Sequence, residues 1–125
     1  MILNFITDMT ENKTILALEI KEIYFEQDIE SIPVNQYPCI NINIGDSAPE
    51  KISSMLNLMT DFEIQLIVDK DDIEKLLIIE DGIIKYLFLT YSTEKGHLIN
   101  SITTLPRDNE RLVRSISFSY RTRIL

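Results

Sequence analysis

The cleanest alternation of apolar and polar positions lies near the C-terminal end of the chain. Leu112, Ile116, Phe118, Tyr120 and Ile124 share one side of a two-residue period with Arg114 and Thr122, while Ser115, Ser117, Ser119, Arg121 and Arg123 share the other with Val113. That period is the signature of a strand with one face buried. Phe62, Ile64, Leu66 and Val68 alternate with Glu63 and Gln65 in the same way, and Ile67 alone disobeys. Ile40, Ile42 and Ile44 alternate with Asn41 and Asn43 in a shorter strand that Gly45-Asp46 is expected to end.

The clearest helix signal starts at Ser47. In Ser47-Ala48-Pro49-Glu50 a hydroxyl stands at the N-cap position, a proline in the first turn and a carboxylate three residues on, the arrangement of a capping box. Ile52, Met55, Leu56 and Met59 follow at i, i+3, i+4 and i+7, which predicts a helix over about 47–60 packed by one face on the sheet. Methionines at that spacing read as core rather than as a partner-binding stripe.

Further strands are expected where apolar runs flank turn residues. Residues 75–80 and 83–91 flank Asp81-Gly82, a dipeptide that suits the positive φ angles of a two-residue hairpin. A turn at Thr93 to Gly96, a strand from His97 to Thr104 and a loop over 105–109 come next. Thr14 to Phe25 reads as a strand or as a helix faced by Ile15, Leu18, Glu22 and Ile23, with the strand preferred and paired to Ile2–Ile6. Pro33 and Pro38 make the chain between them irregular. The sum is an α+β fold: a mostly antiparallel sheet of about six to eight strands with one helix packed on it.

Composition agrees with this picture. Isoleucine occupies 22 positions, and a β-branched residue in that abundance favours strands. The length of 125 residues, with 45% hydrophobic and 26% charged residues and seven glycines and prolines in all, fits a single globular domain spanning 1–125. There is no linker, no repeat and no apolar run long enough to span a bilayer. With one cysteine no intramolecular disulfide forms, and the N-terminal residues have no signal-peptide pattern, so a cytoplasmic location is expected.

Catalytic chemistry finds little to work with. His97 reads as an exposed turn residue and Cys39 as a small buried hydrophobe. Asp69-Lys70-Asp71-Asp72 followed by Glu80 invites a calcium-loop reading, but Ile73 stands at the fifth position and Glu74 where glycine is required. No cysteine pair or histidine cluster suits zinc, no spacing singles out paired catalytic carboxylates, and the isolated Gly45, Gly82 and Gly96 build no phosphate loop. The sequence therefore implies no cofactor and no metal, and is read as that of a non-enzyme.

Charge is the informative feature. The net charge is -8; residues 1–82 hold 17 acids against five bases, whereas residues 83–125 hold three acids against seven bases, and all five arginines lie beyond residue 106. Such a balance argues against nucleic acid and anionic membrane as ligands, the C-terminal strand with Arg114, Arg121, Arg123, Phe118 and Tyr120 being the one basic aromatic stretch. In part these arginines are expected to pair across the sheet with acids of neighbouring strands. The sharper reading makes the acids a docking surface for a basic protein. Two clusters qualify: Asp69, Asp71, Asp72, Glu74, Glu80 and Asp81, with the last two at a hairpin tip, and Glu19, Glu22, Glu26, Asp28 and Glu30.

A small acidic α+β domain of this kind resembles the immunity proteins that bacteria make against polymorphic toxins, including those of contact-dependent growth inhibition. The resemblance is carried by size and charge over the whole chain; Phe62, Asp69-Lys70-Asp71-Asp72 and Glu80-Asp81-Gly82 are the kind of residues such proteins use. It implies one-to-one inhibition of a basic toxin domain, commonly a nuclease, by covering its active site or substrate surface. The alternatives are another protein-interaction module, such as a phage-encoded inhibitor, a secretion chaperone or a homo-oligomeric scaffold, and an enzyme whose site has no recognised pattern.

Overall fold

A computed structural model describes residue 11 and residues 18–90, 98–106 and 108–123. They form an α+β arrangement of one helix on one five-stranded sheet. The strands are β1 (Glu22–Phe25), β2 (Cys39–Ile52), β3 (Met55–Asp69), β4 (Leu98–Thr104) and β5 (Arg111–Arg123), and helix α1 (Ile73–Thr90) links β3 to β4. The sheet order is β1-β2-β3-β5-β4. Only the β1/β2 pairing is parallel, so the sheet is mostly antiparallel as expected.

Two expected elements exchange places. The segment 47–60 is not a helix but the upper part of a long hairpin, in which β2 and β3 turn at Ser53-Ser54 with Ser53 at a φ of 56°. The same apolar positions that fit i, i+3, i+4, i+7 also fit two paired strands. Pro49 is tolerated because β1 pairs only with Cys39 to Ile42, which leaves β2 an edge strand at that level, where no partner needs its missing N–H. The converse error concerns 75–91: the described part, 75–90, is helix, and Asp81-Gly82 lies inside it rather than at a hairpin tip. Leu76, Ile79, Ile83, Tyr86 and Leu87 recur at i, i+3, i+7, i+10 and i+11, all buried, and that period outweighs the turn preference of one dipeptide. The described residues hold five strands rather than the six to eight expected, because 75–90 is helix instead of two strands and the expected strand Ile2–Ile6 lies outside the described residues. Ile2–Ile6, residues 14–17, Thr93–Gly96 and His97 lie outside the described residues; of the expected strand over 14–25, only Glu22–Phe25 is observed as strand.

The front face of the sheet carries the main core. Ile40 and Ile42 of β2, Phe62, Ile64, Leu66 and Val68 of β3, and Leu112, Ile116 and Phe118 of β5 pack against the buried stripe of α1. Phe62 and Phe118 are cross-strand partners whose rings stack with centroids 5.2 Å apart. Each of these side chains buried to completion contributes about 1.5–3 kcal/mol.

The back face explains the disobedient Ile67. It joins Cys39 and Val113 in a second, smaller core, covered by Ile32 and Tyr37 from the segment between β1 and β2. Asn41, fully buried, holds that segment down: its carboxamide accepts the Gln27 N–H at 3.1 Å and donates to the Gln27 carbonyl and to Gln65 Oε1 at 2.8 Å each. Toward the hairpin tip the back face turns polar. Glu63 accepts from Asn43 and Ser115 at 3.0 and 2.6 Å, and Asp61 accepts from Ser119 at 2.6 Å.

Gly82 is where α1 meets the chain that enters the sheet. A Cβ there would stand 2.6 and 2.7 Å from the two terminal carbons of Leu18. Alanine for glycine within a helix ordinarily adds about 1 kcal/mol. Gly82→Ala is expected to lose that gain, leaving stability to urea no greater than wild type, whereas in a Leu18→Ala background the same change should recover about 1 kcal/mol. Equal gains in both backgrounds would show that Leu18 does not press on the helix.

Candidate functional site

The arginines of β5 take structural partners first. Arg114 reaches from the front face to the helix, donating from Nε and Nη2 to Glu80 Oε1 at 3.0 and 2.6 Å and from Nη1 to Thr104 at 2.9 Å. Arg121 pairs with Glu50 of β2 at 2.9 Å. Arg111, almost wholly buried, pairs with Asp108 and Glu110 at 3.5 and 2.7 Å. The arginines are expected to meet acids of neighbouring strands; instead Arg121 reaches past β3 to Glu50 of β2, Arg114 turns to the helix and Arg111 to its own loop.

Glu80 is consequently misplaced among docking residues. It is buried in mid-helix and neutralises Arg114, and it does not sit at a hairpin tip. Asp81 is exposed but lies one turn before Lys85, with which it pairs at 2.8 Å. Neither adjoins a turn.

The other candidates gather at the opposite end from the hairpin tip. Asp69 closes β3, Asp71 lies in the following turn, and Asp72 accepts the Lys75 N–H at 3.3 Å as the N-cap of α1. Glu74 occupies the first helical turn, where the helix dipole favours an anion. Lys75 pairs with Glu19 at 3.3 Å, which joins the second cluster to the first. On the back of the same end, Asp69 stands opposite Arg111, and Glu30 lines a hollow of about 290 Å³ with Asp108, Glu110 and Arg111. Asp108 and Glu110, which the clusters drawn from the sequence omit, therefore belong to this acidic end. The backbone N–H of Glu110, seconded by that of Arg111, holds the Asp108 carboxyl below the usual carboxylate range. Glu26 sits farther along, its carboxylate accepting the Ile44 N–H and so blunting the exposed edge of β2.

A reactive thiol finds no support in the surroundings of Cys39. The side chain is buried in the back core, and burial, with Glu22 adding to it, pushes the thiol up to about 12. His97 lies outside the described residues. Among the described residues no group of histidine, cysteine, aspartate or glutamate is arranged to hold a metal ion, and no helix is long and apolar enough to cross a membrane.

Two measurements check these assignments. Glu80→Ala strands the Arg114 guanidinium against the helix and is expected to cost about 2–4 kcal/mol, less than for a fully dry pair because Arg114 is partly exposed, whereas Asp71→Ala should stay within about 0.5 kcal/mol; urea unfolding compares them. Cys39 in the folded protein should react with a disulfide reagent at pH 8 on the order of a thousandfold slower than a free thiol, because the thiolate is the nucleophile. Since the folded value lies above the unfolded one, the thiol's contribution to stability is whole below the ordinary thiol range and is lost as pH rises toward 12. Comparison with protein-family models and with curated proteins finds no match, so the acidic end is known by its own residues alone.

Proposed function

We propose that this chain is a small inhibitor of the immunity-protein kind, which binds one basic toxin domain and neutralises it by covering its active site or substrate surface. The observation that supports this is the exposure of the carboxylates: of the eleven acids singled out in the two clusters, ten are exposed and only Glu80 is buried. Holding so many exposed like charges opposes folding through self-repulsion, and a cationic partner relieves it on binding. Steering by such a surface speeds encounter most at low salt. The compartment in this reading is the cytoplasm, where the toxin would act.

A second reading, a self-associating interaction module, draws on the outward side of α1. Ile73, Leu77, Ile78 and Phe88 are each at least half exposed there, more apolar surface than a helix shows when water is its only neighbour. Native mass spectrometry separates the two: a homodimer without a basic partner favours the module.

The test of the inhibitor reading is capture from the source cell at low salt, followed by assay of the captured protein. A basic protein recovered in one-to-one amount, whose enzymatic activity is suppressed when the chain is added back, is the expected result. Asp69→Lys with Asp71→Lys, or Glu22→Lys with Glu30→Lys, should then slow association about tenfold at low salt and much less in high salt. Asp72 is spared in this comparison because its carboxylate caps the helix. A captured protein that is acidic, or whose activity is untouched, would overturn the reading.

A further inference from the structure

The two edges of the sheet are finished differently. On the β1 side the open stretch of β2 is guarded: Glu26 accepts the Ile44 N–H, Pro49 has no N–H to offer, and Lys51 places a charge beside it. β4 forms the other edge, and Leu98–Thr104 contains no charged residue and no proline. Leu105 donates its N–H to the Val113 carbonyl at 3.0 Å, and since donors alternate along an antiparallel strand, Thr104 and Ile102 turn theirs outward. Among the described strands none lies on that side to receive them. The register slip between Ile99 and Ser101 touches only the start of β4 and leaves residues 101–104 in regular pairing.

The flank of α1 that faces this edge is apolar. Glu80 fixes its direction, because it reaches Arg114 of β5, which in turn bonds Thr104 of β4. At about 100° per residue, Ile73, Ile84, Leu77 and Phe88 follow within about 80° on the outward side of Glu80. Ile73, Leu77 and Phe88 are 53, 52 and 68% exposed. Beside them on the front face, Ile99 and Ile102 of β4 stand opposite Phe118 and Ile116 and are only partly buried. An unguarded edge and an uncovered apolar flank thus share one side of the molecule.

Charge limits what fits there. The chain carries a net charge of -8, so two copies repel unless they meet through neutral surface, and a basic partner gains nothing from a neutral strand. β4 is neutral by composition; on the flank Glu80 is balanced by Arg114 and Asp81 by Lys85. The flank is also symmetric along its length: Ile73 with Phe88, and Leu77 with Ile84, stand at equal distances from the midpoint between Glu80 and Asp81. A two-fold axis reverses a helix, so apolar positions placed in this way meet apolar positions of a copy.

We propose that β4 pairs antiparallel with β4 of a second copy about a two-fold axis at Ile102, which joins two five-stranded sheets into one of ten and turns the two α1 flanks toward each other on the same face. A strand of another protein would satisfy the edge but would not use the symmetry of the flank. A ladder this short falls well below an interface of about 800 Å² per partner, and the flanks, with Ile99 and Ile102, add the apolar area it lacks. None of the acids that carry the inhibitor reading lies on β4, so the inference does not rest on that reading.

Sedimentation velocity over a dilution series at physiological salt is the test. The wild type is expected to pass from dimer to monomer on dilution, with amide exchange at residues 101–104 slowed as the dimer forms. Ser101 and Thr103 are exposed on the back face, and about an axis at Ile102 each stands opposite the other of the second copy. Ser101→Lys with Thr103→Lys sets like charges face to face and should raise the dimer Kd at least about tenfold, as should Ser101→Glu with Thr103→Glu. An equimolar mixture of the two variants should recover a heterodimer at least as tight as the wild-type dimer, which also shows that both variants are folded. A wild type that stays monomeric up to about 1 mM, variants that dimerise as the wild type does, or a mixture no tighter than its components would each overturn the proposal. The basic protein sought by capture is absent from these samples, so failure here leaves the inhibitor reading to its own experiment.

Discussion

Everything in this fold depends on one contact between two periodicities. The apolar stripe of α1 recurs about every 3.6 residues and the front face of β3 every two, and they meet in one core that Ile79, Ile83 and Leu87 share with Ile64 and Leu66, all buried. β3 is the central strand, bonded to β2 on one side and β5 on the other. Covering it from the front commits the neighbours as well, because Ile40, Ile42, Ile116 and Phe118 are brought to the same face by the ladder. The helix position also selects the Arg114 partner, since Glu80 is carried on the flank of that same stripe.

The back face is built on a different principle. One end is apolar and roofed by the segment between β1 and β2; the rest is a polar lattice in which carboxylates and carboxamides bond across the strands. Buried polar groups specify a unique arrangement when all are satisfied and cost stability when they are not. Asn41 shows the benefit most plainly. Its single carboxamide closes a β-like pair of bonds with Gln27 and links to Gln65, so the covering segment is held in one register.

The acids divide accordingly into those with structural work and those without. Glu80, Glu63 and Glu50 balance arginines or hydroxyls, Asp72 and Asp108 accept backbone N–H groups, and Glu26 guards an edge. Asp71 and Glu30 are exposed carboxylates at or beside the end where α1 begins and the β4/β5 loop turns, and Asp28 is exposed as well. The hairpin tip lies at the other end, with its own carboxylates at the bulge. The charge asymmetry counted along the chain thus becomes two acidic regions, one where α1 begins and one beside the β2/β3 bulge.

By itself the sequence determined the α+β class, the mostly antiparallel sheet, the two faces of β5 and β3, the burial of Cys39 and the excess of exposed acid. Each of these follows from local period or composition, which any packing must respect. Tertiary structure decided which apolar run became helix, because 47–60 and 75–91 each satisfy both periods, and only the need to cover β3 from the front chose between them. It also decided which acids stay free. Glu80 and Asp81 are adjacent in sequence, yet a helix sends them about 100° apart, one inward to Arg114 and one to water. The bulge facing Asp46 to Asp61 was hidden for the same reason: register between strands is settled by partners far along the chain, and no local pattern records it.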